Sequence, residues 1–158
     1  MRILSGLLLM MAAFVPGTAI AQPGPGPLAS AGGSPSMDAL HTPPKGSAER
    51  KAIMDAIRAN FKEGSGQTAV FLVNYLKVHN GWAWADVTPL DAKGKPIAEG
   101  GTLLLRYEND TWSVADISKV PDDPDDPMGS QDASPGFIKG LRKIYPAVPL
   151  DIFPKGRH

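Results

Sequence analysis

A candidate general base lies in the middle of the chain, on one face of a predicted β-hairpin. Two runs rich in β-branched and aromatic residues meet at Asn80-Gly81, a dipeptide that favours the positive φ angles of a tight type I′ turn. Pairing His79 with Trp82 across this turn sets the register of the two strands. In that register His79 shares a face with Tyr75 and Asp86, so it could exchange protons with a phenol or a carboxylate. The alternative is that His79 only ends a strand beside the turn.

Other arrangements that support catalysis are missing from the residues. A pair of carboxylates for acid/base chemistry would need Asp86 and Asp116 to converge, which the predicted fold allows but does not require. No serine lies in a Gly-x-Ser-x-Gly turn. The glycine-rich stretches do not lie between a strand and a helix, as a phosphate-binding loop would require. The residues therefore identify no reaction.

Metal ligands are suggested by one segment only. Four aspartates between residues 122 and 126 carry the oxygen atoms that Ca²⁺ prefers. The segment lacks the glycine and the closing glutamate of an EF-hand, and its prolines hinder wrapping around an ion, so a solvated acidic loop is the alternative. The three histidines do not have the spacing of a zinc site. We expect no metal and no cofactor.

Aromatic side chains give the hairpin its most unusual face. Strand alternation places rings and charges on one side of the hairpin and aliphatic residues on the other. The rings could line a concavity for an apolar or planar ligand, a sugar chain or a partner protein, because Trp and Tyr dominate such contacts. The candidate binding residues are Tyr75, Trp82, Trp84, Asp86 and Trp112, with Phe71 and Tyr107 beside them. The alternative is that these rings form a second core layer beneath a C-terminal helix and residues 147–154.

A helix before the hairpin is predicted to cover its aliphatic face. Ser47 can cap a helix that begins at Ala48, and the apolar residues of this helix recur at helical spacing. The stripe consists of Ile53, Ile57 and Phe61. The aliphatic face is expected to comprise Val70, Leu72, Leu76, Val78, Ala83, Ala85 and Val87. The small alanines leave room for the helix, so we expect this docking to be essential for stability.

A second hairpin and a second helix complete the predicted domain. Residues 102–107 and 111–117 indicate two further strands joined at Asn109-Asp110, with Tyr107 opposite Trp112. Ser134 can cap a helix over residues 135–145. Residues 147–154 are too rich in proline for a central strand and are expected to lie across the domain. The predicted fold is α+β, with the N-terminal helix packed on a curved four-stranded antiparallel sheet and a short C-terminal helix.

The N-terminal residues have the composition of an export sequence. Arg2, the apolar residues 3–15 and the small residues before Gln22 are typical of a signal peptide that is cleaved after Ala21. Residues 22–46 are rich in proline, glycine and serine, so we expect a disordered leader. The predicted organisation is a signal peptide over residues 1–21, the leader over 22–46 and one α+β domain over 47–154. We therefore expect a periplasmic or secreted protein. The alternative is that the N-terminal residues remain as a membrane anchor.

Charge and cysteine content restrict the partners and the means of stabilisation. The chain after the signal peptide keeps 15 basic and 16 acidic residues, which argues against a nucleic-acid partner or an electrostatically held membrane surface. The chain has no cysteine, so no disulfide supports the fold and its core alone must do so. We expect the partner to be a protein or a small-molecule ligand.

Three phrases of the sequence resemble a known family. They are GSAERKAIMDAIR, LKVHNGWAWA and LLLRYENDTWSV, and together they cover roughly residues 46–117. They resemble a family of small exported bacterial proteins, mostly uncharacterised, in which a leading helix precedes an antiparallel sheet. The third phrase also resembles a hairpin of cystatin-like and nuclear transport factor 2-like domains, although Asn-Asp stands where Asn-Gly is common. The resemblance implies the helix-then-sheet order and supplies no catalytic residue.

Three functional classes are compatible with these residues. The preferred one is a non-enzymatic exported binding module that uses the aromatic face. A second is a small pocket enzyme with a buried carboxylate, Asp86 or Asp116, which requires a closed cavity around that group. A third is an immunity or inhibitor protein that inserts a rigid loop into another protein, for which the acidic, proline-containing segment 122–127 is the candidate.

Overall fold

A helix followed by an antiparallel sheet forms the body of the protein, as predicted. The computed structural model describes residues 38–121, 124–126 and 128–155, so the predicted signal peptide and most of the predicted leader lie outside the described residues. The four strands follow the order β1-β2-β3-β4. The elements are α1 (Ala48–Ser65), β1 (Val70–His79), β2 (Trp82–Leu90), β3 (Gly101–Glu108), β4 (Thr111–Val114), α2 (Gly129–Asp132), α3 (Pro135–Ile144) and a 3-10 helix (Leu150–Ile152).

Local capping defines both ends of α1. The Ser47 hydroxyl accepts a hydrogen bond of 3.1 Å from the Arg50 amide, which satisfies one of the free donors of the first turn. Gly66 ends the helix with φ 71°, and its amide donates to the Lys62 carbonyl. The buried stripe of α1 is Ile53, Met54 and Ile57. Burying each of these side chains contributes about 1.5–3 kcal/mol before chain entropy is subtracted.

The first hairpin has the register predicted from its turn. Strands β1 and β2 pair from His79 opposite Trp82 to Tyr75 opposite Asp86. Asn80 and Gly81 have φ angles of 50° and 72°, as a type I′ turn requires. The tight turn therefore fixes which side chains of this half of the hairpin share a face.

A β-bulge at Asn74 reverses the alternation in the first half of β1. Val73 pairs with Val87, whereas Tyr75 pairs with Asp86, so Asn74 is the extra residue. One extra residue moves every earlier side chain to the opposite face. Phe71 and Val73 therefore pack on the α1 side. Val70 and Leu72 were predicted on that aliphatic face, and this prediction is wrong.

The second hairpin joins the sheet with its predicted internal register. Tyr107 lies opposite Trp112, and the turn residues Asn109 and Asp110 have φ angles of 51° and 60°. Pairing of β2 with β3 places Ala83 opposite Leu105. Because opposite residues share a face, Leu105, Tyr107 and Trp112 all belong to the face that α1 covers.

Each face of the sheet has its own core. The first face, defined as the one that packs against α1, buries Leu76, Val78, Ala83, Ala85, Val87, Leu105 and Trp112 beneath the α1 stripe. The second face, on the opposite side, buries Trp84 and Leu104 with Ala115, Val120, Ala133, Leu141, Val148, Ile152 and Phe153. The side chains that cover this face come from the segment between β4 and α3, from α3 itself and from residues 147–154, which we call the C-terminal residues. The C-terminal residues lie across the sheet, as predicted. A domain without disulfides thus gains apolar burial on both sides.

The N-terminal residues of the described chain pack against the sheet edge. The main-chain groups of His41 and Val78 exchange two hydrogen bonds of 2.9 Å. The Thr42 hydroxyl donates to the Leu76 carbonyl, and Pro43 is fully buried. The boundary predicted at residue 46 is therefore too late, since residues 41–43 already belong to the folded domain.

Candidate functional site

The aromatic centre of the second face is buried rather than open. Trp84 is fully buried, with ring centroids 5.0 Å from Phe153 and 6.1 Å from Phe137. Trp82 is half-buried and lies 5.5 Å from the ring of Tyr145. These contacts make the rings a second core layer beneath the C-terminal residues. Within the described residues, therefore, no concavity is centred on Trp84.

Trp112 lies on the opposite face from the other predicted site residues. Its exposed fraction is 5%, and its ring packs 5.4 Å from Tyr107 in the first core. Phe71 joins the same side through an edge contact of 5.5 Å with Phe61 of α1. The prediction that these three rings extend the aromatic face is wrong, because the pairing of β2 with β3 and the bulge at Asn74 direct them towards α1.

Tyr75 anchors the C-terminal residues to the sheet. Its hydroxyl donates a hydrogen bond of 3.0 Å to the Ile152 carbonyl. Burial raises the pKa of this phenol, and the nearby Asp151 carboxylate raises it further. The group therefore remains protonated at neutral pH and acts as a hydrogen-bond donor.

His79 has a different partner from those expected. Its Nδ1 atom lies 2.8 Å from an Asp151 carboxylate oxygen, so the pair ties the turn of the first hairpin to the C-terminal residues. The side chains of His79 and Asp151 keep exposed fractions of 21% and 45%. Tyr75 and Asp86 share its face, as predicted, but the contact that the structure gives His79 is with Asp151.

The two candidate carboxylates occupy separate hydrogen-bond networks. The Asp86 carboxylate accepts a hydrogen bond of 3.2 Å from the side-chain amide of Asn74, which also donates to the Thr88 hydroxyl at 3.1 Å. Asp116 accepts bonds of 2.6 Å and 3.0 Å from the hydroxyl and the amide of Ser118. These two bonds lower the pKa of the Asp116 carboxyl, and Lys119 acts in the same direction. Neither carboxylate is among the buried residues of the described chain.

A cavity of about 500 Å³ lies between the loop after β4 and the beginning of α3. Asp126 and Phe137 contribute to its lining, and none of the five predicted site residues does.

In the described part of the chain, no three histidine or acidic side chains are grouped so that they could hold a metal ion. Two of the predicted calcium ligands, at positions 122 and 123, lie outside the described residues.

The described residues leave the far end of the second face uncovered. Val70 and Leu72 have exposed fractions of 57% and 53%, and they pair with Leu90 and Thr88 of β2. Asn74, Thr88 and Asp86 border this apolar area on the side towards Trp84. We call Val70, Leu72, Asn74, Asp86, Thr88 and Leu90 the open end of the second face. Of the five predicted site residues, only Asp86 belongs to it.

Sequence reasoning missed this surface because, in the first half of β1, the side chains on both faces of the strand are apolar. The run VFLVNY offers an apolar residue at every position from 70 to 73, so either set could face the core. The asparagine among the otherwise apolar or aromatic residues 70–76 is the available sign of a bulge, since asparagine is depleted in regular strands. Once the bulge is included, Val70 and Leu72 are placed on the second face.

A second polar contact lies beside α1 and was not predicted. The His41 Nε2 atom lies 2.8 Å from a Glu49 carboxylate oxygen, and its Nδ1 atom lies 2.7 Å from the Ala39 carbonyl. The other carboxylate oxygen of Glu49 is buried and has no hydrogen-bond partner among the residues that the structure describes. Burial acts to lower the pKa of His41, but the bonds to Ala39 and Glu49 outweigh it and raise the pKa above its usual value.

No family model, curated protein or solved structure matches this chain. Within the described residues, no helix has the length and apolar composition needed to cross a bilayer. We therefore infer function from the geometry of the chain itself.

Proposed function

We propose that the protein is a non-enzymatic exported binding module that contacts its partner through the open end of the second face. The observation that carries this proposal is the exposure of Val70 and Leu72 on a sheet face whose centre, at Trp84 and Leu104, is fully buried. Exposed apolar groups that adjoin one another on a rigid sheet are typical of interaction sites. The aromatic part of this face serves the core, and the interaction surface is what the C-terminal residues leave uncovered.

The composition of the open end also supports a binding role. Its apolar part is bordered by Asn74, Thr88 and Asp86, whose hydrogen bonds hold the polar atoms in fixed positions. An apolar centre with a polar rim is the usual organisation of a protein interface. The Asp86 carboxylate keeps further acceptor capacity, so a partner could donate an amide or a cationic group to it.

Export to the periplasm or the medium is the second part of the proposal. It rests on the sequence of residues 1–21, whose charge, apolar length and small residues are typical of a cleaved signal peptide. The helix followed by a four-stranded antiparallel sheet is compatible with the resemblance to small exported bacterial proteins and to cystatin-like domains. We propose membership of that group on these grounds.

The rival functions have weaker support from the geometry. A pocket enzyme requires a carboxylate enclosed in a cavity, whereas Asp86 lies at the half-exposed open end and Asp116 is exposed. An inhibitor requires a rigid protruding loop, and positions 122, 123 and 127 of the candidate loop lie outside the described residues. The open end of the second face is the surface on which a specific arrangement of residues favours binding.

Selection of peptides from a displayed random library tests the proposal. The wild-type domain is the bait, and selected peptides are measured against Leu72→Lys and Leu150→Lys. Leu150 is the matched control because it is exposed to a similar degree, 56% against 53%, and lies in the C-terminal residues. We expect Leu72→Lys to weaken binding at least about tenfold and Leu150→Lys to leave it unchanged. Equal binding to both variants, or no enrichment of any peptide, contradicts the proposal.

A further inference from the structure

Strand β1 has a free edge beside the open end of the second face. β1 is the first strand of the sheet, so one of its two sides has no neighbouring strand among the described residues. On this outer side, Val78 forms hydrogen bonds with His41, and the Leu76 carbonyl accepts one from Thr42. In the part of the chain that the structure describes, no strand pairs with the outer side of residues 70–73. Such an edge presents main-chain donors and acceptors that can pair with another strand.

The usual protection of an edge strand is largely missing here. No charged residue and no proline occurs between Glu63 and Lys77. Natural edge strands are commonly protected by lysine, proline or a bulge. Among residues 64–76 only the bulge at Asn74 is present, and the one lysine of β1, Lys77, lies beyond it. The bulge confines the regular free edge to residues 70–73, which are apolar on both faces.

We propose that this edge pairs with the same edge of a second copy of the chain, in an antiparallel arrangement about a two-fold axis at Phe71. In this register Val70 lies opposite the partner's Leu72, and both are on the second face. The two-fold axis repeats the pair, so both exposed side chains of each copy gain an apolar neighbour. The contact is isologous and closes as a dimer with one eight-stranded sheet.

Charge and chain position favour a second copy over the leader of the same chain. Self-pairing about a two-fold axis brings identical residues together, which is tolerated here because residues 69–73, the ones that pair, carry no charge. The antiparallel pairing of His41 with Val78 places the described residues 38–40 towards the His79 end of β1, away from Val70. Residues 22–37 also contain four prolines, which disfavour a regular strand.

This inference rests on the proposed function and completes its surface. Pairing of two β1 strands brings the open ends of both copies side by side on one continuous sheet face. The resulting surface would carry Val70, Leu72 and Leu90 from each copy. A partner would then contact an apolar surface twice as wide, which Asn74, Asp86 and Thr88 of each copy border with polar groups.

Sedimentation equilibrium of the full mature chain over about a hundredfold dilution tests the dimer. We expect a reversible monomer–dimer equilibrium for the wild type. Val70→Lys and Leu72→Glu should each weaken dimerisation about tenfold, because each places an unpaired charge opposite an apolar side chain in two symmetric positions. Leu150→Lys is the matched control and should leave the equilibrium unchanged. A monomeric wild type, or single variants that dimerise normally, overturns the proposal.

A charge-exchange variant tests the register independently of folding. Combining Val70→Lys and Leu72→Glu in one chain places opposite charges across the two-fold axis, so dimerisation should recover relative to either single variant. Mixing the two single variants should likewise produce a heterodimer. Failure of both recoveries overturns the register and with it the proposal. Peptides that bind a strictly monomeric wild type would overturn the dimer while leaving the proposed function intact.

Discussion

The contact between His41 and Glu49 predicts a specific pH dependence of stability. Both ring nitrogens of His41 face acceptors, the Ala39 carbonyl at 2.7 Å and the Glu49 carboxylate at 2.8 Å. Both bonds can form together only when both nitrogens carry a proton, as in the charged ring. The folded protein therefore binds the proton on His41 more tightly than the unfolded chain does, in agreement with the raised pKa. His41→Ala removes this interaction.

The sign and size of the effect follow from this geometry. Because the folded pKa is raised, the stabilisation is fully present below the unfolded value of about 6.5 and is lost as the pH rises through the folded value. A hydrogen bond to a charged group contributes about 1.5–3 kcal/mol. The side chains keep exposed fractions of 18% and 10%, so water screens part of the interaction. We expect His41→Ala to lower the free energy of unfolding by about 1 kcal/mol more in acid than in base.

Urea unfolding at about pH 5.5 and about pH 8.5 measures this difference. Thr42→Ala is the matched control, since it removes an uncharged hydrogen bond of 3.1 Å to Leu76 from the same segment. Its effect should not change with pH. A His41→Ala effect that is constant, or that grows as the pH rises, would refute the assignment of a charged ring. NMR titration of His41 provides a direct check, because Glu49→Ala should lower its pKa.

Two further predictions concern the second core and its anchor. Trp84→Ala should lower the free energy of unfolding by about 3–5 kcal/mol, since Trp84 is fully buried against Phe137 and Phe153; near-wild-type stability in urea would mean that the ring is accessible instead. Tyr75→Phe should cost about 1 kcal/mol because the Ile152 carbonyl loses its donor. An unchanged thermal midpoint for Tyr75→Phe would show that the C-terminal residues do not depend on this bond.

Features fixed by short-range chemistry could be predicted from the sequence. The turn at Asn80-Gly81 set the register of the first hairpin, and the Asn109-Asp110 turn did the same for the second. Ser47 and Ser134 marked the beginnings of α1 and α3 through side-chain caps. The packing of α1 on Ala83 and Ala85 also followed, because small residues on one face leave space for a helix.

Features that depend on distant pairing could not be predicted in the same way. The sequence alone does not place Trp112 on the correct face, because the register between the two hairpins depends on a connection of ten residues, whose length fixes no turn geometry. The pairing of Ala83 with Leu105 places Trp112 on the first face. The pairing of His41 with Val78 was hidden for a related reason, since a proline-rich composition does not reveal main-chain bonds to a distant strand.

The bulge at Asn74 reverses the alternation of side chains in β1 and thereby produces the open end of the second face. The accessibility of residues 70–73 tests it directly. The chain has no cysteine, so single variants Val70→Cys, Phe71→Cys, Leu72→Cys and Val73→Cys each carry one reactive thiol. Maleimide labelling of the folded variants in dilute solution should be fast at positions 70 and 72 and slow at positions 71 and 73. The reverse pattern, with 71 and 73 fast, would contradict the bulge, the open end and the proposed interaction surface together.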